Sequence, residues 1–140
     1  MTTALEIISP EQLLLARPVS MVVIPGTEGD LGILPEHSKL ITSLRGGMID
    51  IYEDDVIVDR FFVTGGFAEV TEDRCTVLAD QIVKLSEINP DDAASELANA
   101  TEAYRTVNET DTAAWRQASD RLITAQARVD ALGAETHEKR

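Results

Sequence analysis

Three glycines at three-residue spacing, Gly26, Gly29 and Gly32, lie in the stretch VVIPGTEGDLGILPEH and pose the first chemical question. A phosphate-binding loop needs Lys and Ser or Thr after its last glycine, and it must open a helix. Here Ile33, Leu34 and Pro35 follow, and Glu28 and Asp30 would repel a phosphate. The glycines therefore read as a turn between strands. Two acidic groups, Glu28/Asp30/Glu36/His37 and Glu53/Asp54/Asp55/Asp59, raise metal binding, but neither has the spacing of an EF-hand loop or of paired histidines. Solvated turns explain them better. For nucleophilic catalysis the candidates are Cys75 and several serines, with His37 the only histidine inside the folded part, since His137 falls in a charged tail. Cys75 alternates with Val77 and Ala79 on one strand face, which makes it a small core residue and not a thiolate. No catalytic constellation emerges, and no metal or cofactor is expected.

The elements that must position these residues fall into two halves. Up to about Ser86, short apolar segments are broken by Ser9-Pro10, Pro25-Gly26, Arg45-Gly46-Gly47, Glu53-Asp54-Asp55, Gly65-Gly66 and Glu72-Asp73. Ile49 and Ile51 share a face, as do Cys75, Val77 and Ala79, whereas SMVVIP and DRFFVTGGF have the richer pattern of strands buried on both sides. This spacing predicts an antiparallel β-sandwich or barrel over residues 1–87. After Ile88 the period becomes helical. Asn89 suits an N-cap, Pro90 the first helical position, and Asp91 and Asp92 the positive end of the helix dipole. Ala93, Leu97, Ala100, Tyr104 and Val107 form one stripe. After NETDT a second stripe runs through Trp115, Ala118, Leu122, Ala125, Val129 and Leu132, and Gly133 is placed to stop the helix. Residues 88–133 are thus expected to form an antiparallel two-helix hairpin, with 134–140 a flexible charged tail. Trp115 and Tyr104 read as seam packing. Most seam residues are alanine, so the hairpin's own core is weak, and early proteolysis near residues 85 to 90 would mark it as separable.

Composition narrows the partners. The formal net charge of −13 opposes nucleic acid and anionic lipid and favours basic protein surfaces. Residues 1–87 hold 15 acids and 6 bases, and residues 88–140 hold 10 and 6, so the hairpin is the less acidic half. Its second helix carries Arg116, Arg121 and Arg128, for which an exposed face with local acidic neighbours competes with a docking role. One cysteine gives no intramolecular disulfide and no sign of an oxidising compartment. MTTALEIISPEQ lacks the marks of a secretory or transit sequence, so no export is expected, and no apolar run approaches the roughly 18 residues of a membrane span.

VVIPGTEGDLGILPEHSKLITSL followed by FFVTGGFAEVTEDRCTVLAD resembles the epsilon subunits of rotary F-type ATP synthases of bacterial type, and the resemblance runs from about Leu5 to Leu132. It implies a noncatalytic rotor subunit of the central stalk whose sandwich binds the gamma subunit and sits on the c ring, coupling ATP synthesis to proton transport. Membrane association would come through the c ring only, on the cytoplasmic face of the bacterial inner membrane. The resemblance assigns Glu28 and Asp30 to a loop facing the c ring, and Ser9, His37 and Thr42 to the side facing gamma. It implies that the hairpin can extend toward the alpha and beta catalytic subunits and inhibit hydrolysis, with Arg116, Arg121 and Arg128 meeting an acidic segment of beta.

The chain departs from the family's ATP-binding motif, Ile/Leu-Asp-x-x-Arg-Ala: Ile88 to Ala93 read INPDDA, with Asn89 for the aspartate and Asp92 for the arginine. An anion in place of a phosphate-holding cation predicts no tight ATP binding. Glu36, Ser38 and Lys39 stand where relatives often have Gly, Ala and Pro, and Gly46 where Pro is frequent. A function of another class, a free-standing regulatory or ligand-binding β-domain that uses its hairpin to self-associate, would show itself by forming oligomers through the alanine seam in isolation.

Overall fold

The computed structural model describes residues 1–138. Ten strands come first: β1 (Thr3–Ile8), β2 (Leu13–Val19), β3 (Met21–Gly26), β4 (Gly29–Ile33), β5 (Leu40–Leu44), β6 (Gly47–Glu53), β7 (Val56–Val63), β8 (Gly66–Val70), β9 (Arg74–Ala79) and β10 (Ile82–Lys84). A single 3-10 turn, Leu85–Glu87, precedes α1 (Pro90–Thr106) and α2 (Thr112–Glu138). The chain divides into two compact units, Met1–Lys84 and Leu85–Arg140.

The strands form one curled sheet in the order β10-β7-β6-β3-β5-β8-β9-β1-β2, with β4 paired to β3. β3 and β5 meet only at Gly26 and Leu44, so the sheet folds there into two leaves. One leaf holds β4, β3, β6, β7 and β10; the other holds β5, β8, β9, β1 and β2. Inward residues follow strand alternation: Leu5 and Ile7 on β1, Val22 and Ile24 on β3, Ile49 and Ile51 on β6, Val70 on β8, and Cys75, Val77 and Ala79 on β9 join one buried cluster. The expectation of a purely antiparallel sheet needs one amendment. β1 and β9 run parallel, with Leu5 opposite Cys75 and Ile7 opposite Val77. The free edge of the second leaf turns back toward the first: Arg17 on β2 has Nη2 3.9 Å from Glu53 and 3.8 Å from Asp59, and Asp59 also meets Lys84 at 3.6 Å.

DRFFVTGGF is two strands, not one, and the break falls at Thr64-Gly65. Gly65 and Gly66 have φ of 145° and 134°, and a Cβ on Gly66 would come 2.0 Å from the Leu78 carbonyl oxygen. Only glycine fits that corner. Phe62 and Val63, successive residues facing opposite sides of β7, are both buried, in keeping with the dense apolar pattern.

The helical unit starts as its sequence dictates. The Asn89 side chain accepts hydrogen bonds from the Asp91 and Asp92 amides at 2.8 and 3.2 Å, and Pro90 leads the helix. Val107 caps the end of α1 instead of belonging to it. Gly133 does not end α2, which runs on to Glu138. It is not among the residues with positive φ, so the left-handed conformation that lets glycine stop a helix is not used. Ala134, Glu135 and Glu138, good helix formers, carry the helix on. The His137 side chain and the last residues of the expected tail, 139 and 140, lie outside the described residues. Ala93, Ala100 and Ala125 of the expected seam are buried, and so is Ala131, which lies off the expected stripe. Tyr104 and Trp115 pack with ring centroids 6.4 Å apart at 46°, yet Trp115 stays 38% exposed and only half serves the seam.

Candidate functional site: an apolar sheet face and an acidic turn

β3 and β4 form a hairpin in which Val22 faces Ile33 and Gly26 faces Gly29, leaving Thr27 and Glu28 as its tip. Gly29 has φ of 144°, and a Cβ on Gly26 would lie 2.8 Å from the Gly29 carbonyl oxygen, so the neck of the turn is as tight as a backbone allows. Strand β4, not a helix, follows the glycines. Glu28 projects at the tip and is exposed. Asp30 is not a free acid: its Oδ1 accepts from Arg45 Nη2 at 2.6 Å.

The three residues expected on the gamma-facing side do not converge. Ser9 sits in the β1–β2 turn, where its amide donates to the Gln12 carbonyl at 2.9 Å and its hydroxyl to the same oxygen at 3.3 Å. With Glu11, Leu14, Asp80 and Ile82 it lines a shallow depression of about 400 Å³. His37 is half-buried, with Nδ1 2.7 Å from the Ser38 carbonyl oxygen. Thr42 lies opposite the buried Ala68, so it shares the core phase of β5, while its neighbours Ile41 and Ser43 face outward.

That outward face holds what the sequence reading missed. Phe67 on β8 stands opposite Leu78 on β9, Leu78 opposite Ile8 on β1, and Ile8 opposite Leu13 on β2. Phe67, Leu78 and Leu13 are 56%, 49% and 55% exposed, and Ile41 on β5 is 74% exposed. The result is an apolar row across four strands on the side opposite the core. The signal was available: in GFAEV and RCTVLA the small or core residues occupy one phase, so Phe67 and Leu78 occupy the phase that belongs to water.

In the helical unit Arg121 forms a two-pronged pair with Glu96 of α1, Nε to Oε2 at 3.0 Å and Nη2 to Oε1 at 2.8 Å. The hydrogen bonds from Arg121, then its charge and that of Arg128, hold the Glu96 carboxyl below its usual range against some desolvation. At about 100° per residue, Arg121 and Arg128 lie within about 20° of each other on α2, while Arg116 is about 140° from Arg121. The three arginines therefore do not form one face. Arg116 is exposed and has no ion pair among the described residues. At the α1 start, the Asn89 oxygen is engaged in capping, and Asp91 and Asp92 are exposed beside it.

Burial pushes the Cys75 thiol up to about 11, which leaves it neutral and inert at physiological pH. Among the described residues no three acids, histidines or cysteines gather as a metal site would require, and no helix is long and apolar enough to cross a membrane.

The chain thus combines a two-leaf β unit, bearing an apolar outer row and a tight acidic turn at β3–β4, with a two-helix unit that follows it in sequence. Residues 2–85 match the family described as ATP synthase, Delta/Epsilon chain, beta-sandwich domain, and the chain belongs to that family. It is similar to the ATP synthase epsilon chain of Granulibacter bethesdensis, at 49% identity over 129 residues covering 92% of this chain and 96% of that one. The epsilon chain of Gluconacetobacter diazotrophicus is 38% identical over 133 residues, covering 95% of this chain and 94% of that one. The fold is shared with a chain from the Euglena gracilis mitochondrial ATP synthase, OSCP/F1/c-ring, with a TM-score of 0.81 at 23% identity over 94% of this chain and 81% of that one. It is shared too with a chain from the Tetrahymena thermophila mitochondrial ATP synthase central stalk/c-ring, with a TM-score of 0.69 at 14% identity over 94% of this chain and 97% of that one.

Proposed function

We propose that this chain is a noncatalytic rotor subunit in the central stalk of a proton-translocating F-type ATP synthase, joining gamma to the c ring on the cytoplasmic face of a bacterial inner membrane. The observation that carries the proposal is the row Phe67-Leu78-Ile8-Leu13 with Ile41 beside it, apolar side chains facing water on a sheet whose core lies on the other side. Such a face is costly to leave bare and gains by docking. Gamma is its occupant in this reading. Ser9 borders the row at Ile8, which supports its gamma-facing assignment, whereas Thr42 shares the core phase of β5 and is assigned there by resemblance alone. His37 is assigned to that side by resemblance.

The β3–β4 turn is the second docking element and meets the polar, basic-leaning loops of the c ring. Charge complementarity supports this partner, since the chain carries a formal net charge of −13. Neither surface contains the paired acid, base or nucleophile of a catalytic site, which fits a mechanical role. The hairpin is the regulatory element: once extended toward the alpha and beta subunits, Arg121 and Arg128 meet an acidic segment of beta from one side of α2 and Arg116 reaches it from another, and hydrolysis slows. Because Arg121 is already held by Glu96, it must exchange one carboxylate for another to do so. ATP is not a ligand of the α1 start in this reading, because Asn89 is engaged as the cap and Asp91 and Asp92 add negative charge beside it.

The test is ATP-driven proton pumping by membranes carrying Glu28→Lys with Asp30→Lys. Weakened pumping with ATP hydrolysis retained is expected. Unchanged pumping would overturn the coupling role of the turn.

A further inference from the structure

The β3–β4 turn is gripped by a residue outside it. Arg45 follows the last residue of β5, and its backbone amide donates to the Pro25 carbonyl at 2.9 Å. Its guanidinium then reaches over the neck of the turn, where Nη1 donates to the Gly26 carbonyl and Nη2 to Asp30 Oδ1 at 2.6 Å. A fourth bond ties the tip itself, from the Thr27 amide to the Ser43 carbonyl at 3.0 Å. These contacts hold both ends of a two-residue loop to one strand end. A planar guanidinium suits this task, because its fork of donors fixes the carbonyl and the carboxylate in one geometry where a lysine would offer a point charge.

The charges divide along the same lines. Asp30 is paired with Arg45, whereas Glu28 has no hydrogen bond or ion pair among the described residues and is exposed at the tip. The pair cancels, and one negative charge remains.

We propose that Arg45 is the positioning residue of this turn: it fixes the backbone at Gly26 and neutralises Asp30, so that the turn engages a basic partner through Glu28 alone. The inference rests on the reading of the turn as a docking element. It narrows the two acids assigned to the turn to one operative carboxylate with a rigid backbone beneath it. The partner chemistry that fits is a single cationic side chain approaching the tip, flanked by backbone close enough for glycine to matter.

Two measurements test it on the full chain and on the assembled ATP synthase. Amide exchange of the full chain should quicken about tenfold at Thr27 in Arg45→Met, as expected for losing charge-assisted bonds at a part-buried site. Unchanged exchange there overturns the tether. In membranes, proton pumping is followed against added KCl. Glu28→Gln should lose most of the KCl sensitivity, while the charge-neutral double variant Arg45→Met with Asp30→Asn, its tether gone, should pump less at every KCl concentration yet keep the KCl sensitivity, because Glu28 and the net charge of its turn are unaltered. If the double variant loses sensitivity as fully as Glu28→Gln, Asp30 meets the partner itself and the inference fails. If exchange quickens at Thr27 but no variant alters the KCl response, the charge role and the docking reading of the turn both fall, while the tether stands.

Discussion

Replacing Phe67 and Leu78 together by serine should weaken gamma binding about 70-fold while leaving the fold intact. The two side chains face each other across β8 and β9 and are 56% and 49% exposed, so docking can hide about half of each. Full burial of such side chains is worth about 3 and about 2 kcal/mol, and the exposed halves therefore contribute about 1.5 and about 1 kcal/mol. Their sum, about 2.5 kcal/mol, corresponds to about 70-fold in Kd. The fold should tolerate the change, because the core contacts of these strands come from Ala68, Val70, Cys75, Val77 and Ala79 on the other face. By the same reckoning the halves already buried in the free chain are worth about 2.5 kcal/mol to the fold, a loss of stability that a domain of ordinary margin survives. The assay is calorimetric titration of the purified chain into purified gamma, with thermal melts of each variant alongside. Val56→Ser serves as the control, since Val56 is 63% exposed but sits at the start of β7 in the other leaf. A change in Kd below about threefold in a folded double variant, or an equal loss in the control, would refute the docking face, since tenfold corresponds to about 1.4 kcal/mol.

Glu96→Gln should loosen the α1–α2 unit by no more than about 1 kcal/mol, because the pair with Arg121 is partly exposed and screened. The sign of its pH dependence is fixed: with the folded carboxyl held below the ordinary 4.5, the stabilisation is complete above that value and is lost as pH falls through the lowered pKa. Circular-dichroism melts between neutral and acid pH check both points, and a helix signal in Glu96→Gln that still falls over the same acid range as the native chain would count against the assignment. Glu36 adopts a φ of 66°, a left-handed conformation that disfavours side chains, so Glu36→Gly should raise stability by about 1 kcal/mol in urea unfolding; a loss would contradict it. Calorimetric titration of ATP into the isolated chain should show no micromolar site, and a saturable micromolar isotherm would refute the argument from Asn89 and Asp92.

How much was legible in the chain depended on range. Strand alternation over five to eight residues located the inward set, and Ile49, Ile51, Cys75, Val77 and Ala79 are buried as their phase required. The Asn89-Pro90 start of α1 was equally local and is realised in the cap geometry. The parallel β1–β9 pair was not visible, because partner choice between segments almost a domain apart leaves no mark in either segment's period. The end of α2 was misjudged at Gly133, where a stop needs a left-handed backbone as well as a glycine, and helix-forming neighbours prevailed.

The candidate surfaces divide similarly. The turn at Glu28 was evident from its glycines, yet the neutralisation of Asp30 required Arg45, fifteen residues on, to fold back across it. The apolar row needed the strand order, since Phe67, Leu78, Ile8 and Leu13 become neighbours only through three separate registers. The split of the arginines was within reach of the sequence, because the spacing of 116, 121 and 128 already places the first on a different side of a helix.

The most direct measurement is a pull-down from detergent-solubilised membranes of the source cells, using this chain tagged beyond Gly133, with the co-purifying proteins identified. Recovery of gamma, the catalytic subunits and the c ring is the predicted result. Recovery of the chain alone, with the ATP synthase intact elsewhere, would contradict the stalk assignment and mean that the fold serves another task.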